Sequence, residues 1–301
     1  MSAMSPTAGR IGSLPVGDGR TRARVARLSL RSVALVYLLL ILALPVLTIF
    51  WRTFESGVQP VVEAFGRPAF QSAFWLTLQI TLIAVPVNTV FGVIAALAIV
   101  RRRFPGRGLL NALIDLPFAL SPVIIGLSLI LVYGKHGWLG SVLDSLGVTV
   151  IFALPGMILA TLFVSLPFVV REVIPVLREI GTDAEEAAYT LGASSWRTFW
   201  RITLPAIRWG VIYGVILTTA RSLGEYGAVA VVSGKIAGKT ETLTTHVEER
   251  YLAFELAGAY VASITLALMA VLVLVSMQVL QSGRLRRRRP SPASPAPTLE
   301  V

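Results

Sequence analysis

The stretch GKIAGKT, residues 234–240, resembles the loops that hold the phosphates of a nucleotide. Such a loop needs two glycines separated by four residues, then Lys and Ser or Thr, because its backbone N–H groups surround a phosphate. Here only three residues separate Gly234 from Gly238, and an apolar run ending at Val232 precedes the first glycine. The spacing therefore argues against a nucleotide site in this stretch.

Few other residues have the types and spacing of a catalytic or metal centre. The chain has no cysteine and two histidines, His136 and His246, which are far apart in the sequence. A thiolate nucleophile and a Cys-based metal site are therefore excluded, and a His-based metal site is disfavoured. The long apolar runs also lack the paired carboxylates that an intramembrane enzyme would need. We expect no catalytic residue and no metal ligand in this chain.

One pair of opposite charges, Arg221 and Glu225, lies inside a long apolar run. Each charge at the middle of a membrane costs about 2.5–3.5 kcal/mol on insertion scales, and residues four apart share one helix face. One interpretation is a structural ion pair, with Gly224 and Gly227 allowing neighbouring helices to approach closely. The other is that Arg221 lines a pathway and donates hydrogen bonds to an oxyanion, while Glu225 holds or gates it. An anion pathway gains little from a bare glutamate, which favours the structural interpretation.

The elements that must position these residues are membrane-spanning helices. Hydrophobic residues make up 55% of the chain and charged residues 14%, against about 25% in soluble domains, and the mean hydropathy is +0.75. A helical span needs about 20 apolar residues. We therefore expect an all-α integral membrane protein with six transmembrane helices, some of them kinked or broken at prolines. The six runs are approximately 32–50, 74–100, 110–133, 150–170, 207–232 and 257–281.

The basic residues predict which side of the membrane each connection faces. Most of the 27 Lys and Arg residues fall in the two terminal tails and in the second and fourth connections. Cytoplasmic segments carry such an excess, so both termini are expected in the cytoplasm of a bacterial plasma membrane protein. This topology accounts for the net charge of +11 without nucleic-acid binding. It also places GKIAGKT outside the membrane, where ATP is absent.

The same pattern divides the chain into a membrane region and two tails. Residues 1–31 and 282–301 are expected to be disordered, basic cytoplasmic tails, because they are rich in Gly, Ser, Pro and Arg. The six-span region covers residues 32–281. Its longest connection, at about 171–206, lies on the cytoplasmic side.

This cytoplasmic connection contains signals for two short helices. Thr182 and Glu185 have the spacing of a capping box, which predicts a helix that starts near Asp183. Gly192 is expected to end this helix in a left-handed conformation. Ser194 or Ser195 is then expected to cap a second short helix over residues 196–203, before the fifth span. A helix–Gly–helix segment attached to two spans would be a rigid handle by which a partner could move them.

The residues of this segment resemble the EAA-x3-G-x9-I-x-L-P signature of ABC importer permeases. Because every fixed position of the signature matches, the resemblance is specific. It implies the type I ABC importer permease fold and a coupling helix that seats in a groove of a separate ATP-binding subunit. The connection at about 171–206 would then be the coupling loop. The matching residues are Glu186, Ala187, Ala188, Gly192, Ile202, Leu204 and Pro205.

The resemblance extends over residues 70–280, approximately, and within the family it is closest to the sulfate/molybdate group. The segments VVSGKIAGKTETL and VEERY are most similar to the W-type subunit of sulfate/thiosulfate importers. Thr244 and Thr245 depart from that pattern, which often has Leu-Pro there. The resemblance implies a T-type second permease, two copies of an ATPase and an external sulfate-binding protein. ATP and Mg²⁺ would bind the ATPase, so this chain itself is expected to bind no cofactor.

Two alternatives for the function stay open. A molybdate or tungstate permease of the same group would work as a homodimer, whereas the sulfate systems pair two different permeases. An ion-coupled secondary transporter would work alone, and it would be expected to contain an internal repeat. No convincing repeat is visible, and the EAA signature occurs once.

Overall fold

The computed structural model describes residues 19–55 and 57–287. The chain divides into two units, residues 1–51 and 52–301. Helix α1 (Gly19–Leu38) lies in the first unit and continues through a π turn (Leu39–Ala43) into α2 (Leu44–Phe54), whose last three residues fall in the second unit. Helical backbone therefore runs through the whole of the first predicted span.

Parts of the two segments predicted as disordered tails are helical. Residues 19–31 are helical, because α1 begins at Gly19. Arg, Ala and Leu are good helix formers, so this stretch extends the apolar helix that follows it. At the other end, residues 282–287 form the last turns of a long helix. The remainder of the two predicted tails, residues 1–18 and 288–301, lies outside the described residues.

The second unit is built from helices joined by short connections. A second π turn, Phe199–Thr203, joins α10 to α11 without a break in the helical backbone. The helices are α3 (Gln59–Gly66), α4 (Pro68–Arg101), α5 (Arg107–Ala119), α6 (Pro122–Tyr133), α7 (Gly140–Ser145), α8 (Leu154–Ile180), α9 (Asp183–Thr190), α10 (Ser195–Thr198), α11 (Leu204–Leu223), α12 (Gly227–Ser233), α13 (Leu243–Leu252) and α14 (Leu256–Arg287).

Helices α4, α8 and α11 form the centre of the bundle. Glycines allow them to approach closely, as is common between membrane helices. A Cβ on Gly92 of α4 would lie 2.6 Å from the Cβ of Val169 on α8, and one on Gly214 of α11 would lie 2.8 Å from the Cα of Val169. Val169 itself is fully buried. The two glycines thus bring α4 and α11 against the same residue of α8.

The six predicted spans are recovered when one bent pair of helices counts as a span. Within residues 19–55 and 57–287, five helices are long and apolar enough to cross a membrane, and α5 and α6 together supply a sixth. The bend between α5 and α6 is 114°, so the span predicted at 110–133 is broken at Pro122, in line with the expectation that some spans break at prolines. Ser121 precedes Pro122 and has ψ 136°, because proline disfavours the helical conformation of the residue before it.

The fifth predicted span, 207–232, is also interrupted. Helix α11 ends at Leu223, and the chain turns before α12 starts at Gly227. Gly227 packs against Pro122, since a Cβ there would lie 2.8 Å from the proline Cβ. The two broken spans therefore meet where each of them changes direction.

The connection predicted at 171–206 is shorter than expected. Helix α8 continues to Ile180, and helical backbone resumes at Ser195. Only residues 181–194 lie between the two long helices, and α9 occupies most of them. The apolar periodicity of α8 simply extends beyond the most hydrophobic part of the run.

Candidate functional site

The EAA segment forms the short helix α9, which begins at Asp183 as the sequence predicts. The backbone N–H of Ala193 donates to the carbonyl of Ala188 (3.0 Å), and that of Gly192 donates to Tyr189 (3.0 Å). Gly192 has φ +80°, the left-handed conformation that ends many helices. A side chain at this position would meet nothing within 4 Å, so the backbone angle alone favours glycine.

The predicted capping box at the start of α9 is wrong. Thr182 is the N-cap residue, but its side chain makes no capping bond. Its hydroxyl donates instead to Glu186 Oε1 (2.7 Å). Glu185 is turned away from the helix start because it forms an ion pair with Arg101 (3.0 Å). A charged partner competes successfully with the neutral capping bond, since charge-assisted hydrogen bonds are about twice as strong.

The second short helix is not a separate element. Ser195–Leu223 forms 29 residues of continuous helix, composed of α10, the second π turn and α11. Ser194 is its N-cap and accepts a bond from the N–H of Arg197 (3.4 Å). Pro205 has no N–H to donate, and the helix passes this position with a π turn instead of ending.

The seven signature residues divide into an exposed and a packed group. Glu186 and Ala187 are exposed on α9, and Ala188 is buried. Ile202 and Leu204 are half-buried, and Leu204 packs on a core cluster that includes residues of α4, α5 and α8. Gly192 and Pro205 are exposed as well, so the signature is anchored to the rest of the protein through Ala188, Ile202 and Leu204.

Arg221 and Glu225 form an ion pair, but not on one continuous helix. Arg221 is in the last turn of α11, and Glu225 lies in the break before α12. The distance from Arg221 Nη2 to Glu225 Oε2 is 2.6 Å. The side chain of Glu225 is 2% exposed and that of Arg221 is 30% exposed. The carboxylate of this ion pair is therefore buried, whereas part of the guanidinium side chain is accessible.

Glu225 also holds the start of α12. Its Oε1 accepts from the N–H of Ala228 (3.0 Å), which satisfies a donor that the helix itself leaves free. The hydroxyl of Thr244 donates to the Glu225 carbonyl (2.8 Å). Gly227 makes the close approach to Pro122, whereas a Cβ on Gly224 would meet only a carbonyl at 3.7 Å. Of the two glycines, Gly227 is the one at a crowded position.

The two threonines that depart from the family pattern have structural roles. Thr245 completes a capping box with Thr242 at the start of α13, because its hydroxyl accepts from the Thr242 N–H (2.8 Å). Thr244 binds the Glu225 carbonyl. The sequence reasoning missed this cap, although the spacing of Thr242 and Thr245 was a signal for it.

The GKIAGKT stretch folds as a closed turn. Thr240 is buried, donates to the carbonyl of Ser233 (2.6 Å) and accepts from the N–H of Ile236 (3.1 Å). Lys235 forms an ion pair with Glu248 of α13. The short helix α12 precedes the stretch, where a phosphate loop would follow a buried strand. The Thr hydroxyl and one of the lysines are thus already engaged within the protein.

The ion pair of Lys235 and Glu248 shifts the pKa of both groups. The hydrogen bond from Lys235 holds the pKa of the Glu248 carboxyl below its usual range, and Tyr226 adds a second hydrogen bond in the same direction. The same bond to Glu248 raises the pKa of the Lys235 ammonium. Both groups are therefore charged at neutral pH and link the turn to α13.

Arg101 is a site residue that sequence reasoning missed. It is the last residue of α4, and its guanidinium bonds to α8 and α9. In the sequence it was one of three consecutive arginines, Arg101 to Arg103, and the three were equivalent as indicators of topology. Only the folded backbone distinguishes the first arginine from its neighbours.

Comparison with known proteins identifies the family. Residues 88–287 match the model of the binding-protein-dependent transport system inner membrane component. The chain therefore belongs to this family of ABC importer permeases.

Three named relatives are similar over most of their length. The sulfate transport system permease protein CysW of Synechocystis sp. is 53% identical over 83% of this chain and 91% of its own. The protein of the same name in Escherichia coli is 47% identical over 80% and 83%. The probable sulfate transport system permease protein cysT of Chlorokybus atmophyticus is 38% identical over 82% and 87%.

A solved structure has the same fold. It is the bacterial alginate ABC transporter in complex with an alginate pentasaccharide-bound periplasmic protein, and the TM-score to one of its chains is 0.72. The aligned region covers 85% of this chain and 93% of that chain at 17% identity. The type I ABC importer permease fold expected from the sequence is confirmed, and at this identity the likeness concerns the fold alone.

Proposed function

We propose that this chain is the W-type permease subunit of a sulfate importer, with thiosulfate as a second possible substrate. The observation that carries this proposal is the 53% identity to a sulfate transport system permease over 83% of the chain. It favours sulfate over the alternative of a molybdate or tungstate permease. Membership of the ABC permease family also argues against an ion-coupled transporter that works alone.

The proposed assembly contains this chain, a T-type permease, two ATP-binding subunits and an external sulfate-binding protein. The permease would alternate between outward and inward access, and ATP hydrolysis would occur in the ATPase, where ATP and Mg²⁺ bind. Two features support these partners: the similarity to both CysW and cysT proteins, and the exposed EAA face of α9.

We propose that α9 is the coupling helix that an ATPase subunit grips. Its residues Glu186 and Ala187 are exposed, and its end at Gly192 is exposed as well. The helix is short, and only Ala188 among its residues is buried. A helix attached in this way offers a partner most of its surface, while the continuous helix after Ser194 can carry a displacement into the membrane.

The Arg221–Glu225 pair is proposed to have two roles, one for each partner. Glu225 is structural, because it is buried and holds the start of α12. Arg221 keeps 30% of its side chain exposed, and the ion pair engages one end of its fork of N–H donors. This leaves donors that can meet a sulfate oxygen in the pathway.

The substrate is tested in proteoliposomes that contain this chain, the proposed T-type permease, the ATPase and the binding protein. Sulfate should stimulate ATP hydrolysis and should accumulate in the vesicles. Unlabelled thiosulfate is expected to compete with sulfate, whereas molybdate and tungstate are not. Stimulation by molybdate without any response to sulfate would replace the proposal with its alternative.

The orientation is tested by cysteine labelling, since the chain has no cysteine of its own. A Cys at Lys239 is expected to react with an impermeant thiol reagent from outside the cell, because both termini are proposed to be cytoplasmic. A Cys at Ser194 should react only after the membrane is opened. The reverse pattern would overturn the proposed topology.

A further inference from the structure

Arg101 joins elements that are far apart in the sequence. Its Nε donates to Glu185 Oε2 (3.0 Å) and its Nη1 to the carbonyl of Leu177 (3.1 Å). Its Nη2 donates to the carbonyl of Gly181 (2.6 Å) and to Glu185 Oε1 (3.3 Å). The three nitrogens of one guanidinium thus bind the end of α8 and the first turn of α9.

The arrangement extends to the following helix through Glu185. The hydroxyl of Thr203 donates to Glu185 Oε1 (2.8 Å). Thr203 is buried and is the last residue of the second π turn. The ends of α4 and α8, the start of α9 and the π turn before α11 therefore meet at one ion pair, which we call the Arg101 junction (Arg101, Leu177, Gly181, Glu185 and Thr203).

The chemistry of the junction suits arginine. The last carbonyls of a helix have no intrahelical partner, and a cation at this end also interacts favourably with the helix dipole. Arg101 supplies both hydrogen-bond donors and a positive charge to the end of α8. Its side chain is 14% exposed and that of Glu185 is 13% exposed, so solvent screens their interaction less than it screens a surface pair. A lysine has one charged nitrogen and could not reach the same acceptors together.

The junction matters because α9 has little other attachment to the bundle. Ala188 is its one buried residue, and its other residues are half-buried or exposed. Gly181, which links α8 to α9, has φ +64° and ψ −161°, a conformation that is almost restricted to glycine. Glycine at this link leaves the angle between α8 and α9 to be set by side-chain contacts.

We propose that Arg101 is a positioning residue that fixes α9 on the membrane bundle. When α9 is displaced, the junction moves the cytoplasmic ends of α4 and α8 with it. This inference rests on the proposed function of α9 as the coupling helix. It assigns the transmission of that movement to Arg101, Glu185 and Thr203, none of which is a fixed position of the EAA signature.

The first test measures the position of α9 in the purified full chain, without any partner. Spin labels at Thr190→Cys on α9 and Leu109→Cys on α5 report one distance distribution, because the chain has no other cysteine. Both positions are exposed, and Ile114 of α5 packs in the same core cluster as Leu177 of α8. Arg101→Gln is expected to broaden or shift the distribution. The matched control, Arg102→Gln, removes an exposed neighbouring charge and should leave it unchanged.

The second test measures coupling in the complete transporter. Arg101→Gln should raise the ATP hydrolysed per sulfate imported about threefold or more, while the complex still assembles. Arg101→Lys should give an intermediate ratio. Glu185→Gln provides an independent approach if Arg101→Gln does not accumulate, and it should change the ratio in the same direction.

The outcomes separate this inference from the proposed function. If Gly192→Asp abolishes transport but Arg101→Gln and Glu185→Gln match the unsubstituted protein in both tests, α9 couples and the Arg101 junction does not position it. If Gly192→Asp transports normally, the coupling role of α9 itself is wrong. A distance distribution that changes without a change in the ATP ratio would also overturn the transmission role.

Discussion

Two Arg–Glu pairs of this permease differ in how their partners are buried. Arg101 and Glu185 are 84 residues apart in the chain and are 14% and 13% exposed. Arg221 and Glu225 are four residues apart and are 30% and 2% exposed. The first pair shares its burial equally and joins separate helices. The second buries its carboxylate and leaves part of its cation accessible.

The difference indicates different functions for the same two residue types. A pair that is buried equally and surrounded by further acceptors serves to hold elements together. A pair in which one partner is exposed can hold structure through the buried partner and bind a ligand through the other.

The largest effect is expected for Glu225→Ala. It leaves Arg221 without its carboxylate and Ala228 without its side-chain acceptor, and truncating one member of a buried pair costs about 3–5 kcal/mol. Glu185→Ala should cost less, because Arg101 keeps the carbonyls of Leu177 and Gly181. The loss of stability in each of the two variants is measured by the yield of folded protein after size-exclusion chromatography.

The double variant sharpens this result. Arg221→Ala together with Glu225→Ala should partly recover assembly, since no unpaired charge remains, and it should stay inactive in transport if Arg221 meets the anion. Normal accumulation and transport by both single Ala variants would show that the pair is not buried in the membrane.

A large effect on transport with a small effect on folding is expected for Gly192→Asp. The left-handed backbone costs a side-chain-bearing residue about 1–2 kcal/mol, and the new side chain meets no atom within 4 Å. The protein should therefore insert and accumulate, whereas the added charge blocks the ATPase. Gly192→Ala is the control for the backbone effect alone. Normal transport and assembly of the Asp variant would contradict the coupling role.

A moderate effect is expected for Arg221→Lys. The charge and the pairing with Glu225 are retained, so accumulation should be normal, but the fork of donors is lost. Transport should fall about tenfold, because hydrogen bonds to charged groups contribute about 1.5–3 kcal/mol each. Sulfate uptake at several concentrations provides the measurement. Unchanged uptake would leave the pair with a structural role only.

The smallest effect is expected at the Lys235–Glu248 pair, which lies outside the spans. The pKa of Glu248 is lowered in the folded protein, so its stabilising contribution is present above the unfolded pKa, near 4.5. The contribution is lost as the pH falls through the folded pKa. Glu248→Gln should cost about 0.2–1 kcal/mol at pH 7 and nothing at low pH. Thermal melting of the two proteins from pH 7 to pH 3 tests this, and equal melting temperatures at pH 7 would contradict it.

The sequence was most informative where a signal is local. Composition and apolar runs predict the spans, and the spacing of Thr182 and Glu185 predicts the start of α9 at Asp183, although the capping bonds themselves do not form. The left-handed Gly192 was predicted because few other residues accept that conformation. Each of these depends on interactions within a few residues, which spacing alone can reveal.

The sequence-based predictions were wrong where residues distant in the sequence contact the predicted element. The capping box failed because Arg101, 84 residues away, binds Glu185. The fifth span breaks near Gly227, where the close approach is to Pro122 of another helix. The second short helix was predicted from the cap at Ser194 or Ser195, and the cap is present, but the helix continues through a π turn into α11. None of these outcomes has a local signature, because each depends on the packed bundle.

The uninterrupted helix Ser195–Leu223 has a mechanical consequence. At 1.5 Å per residue, Arg221 lies about 27 Å along the axis from Thr203. A tilt of about 10° around the π turn would thus swing Arg221 sideways by about 5 Å, the length of one helical turn. A small rotation at the π turn would therefore become a large displacement of the Arg221 guanidinium at the other end of the same helix.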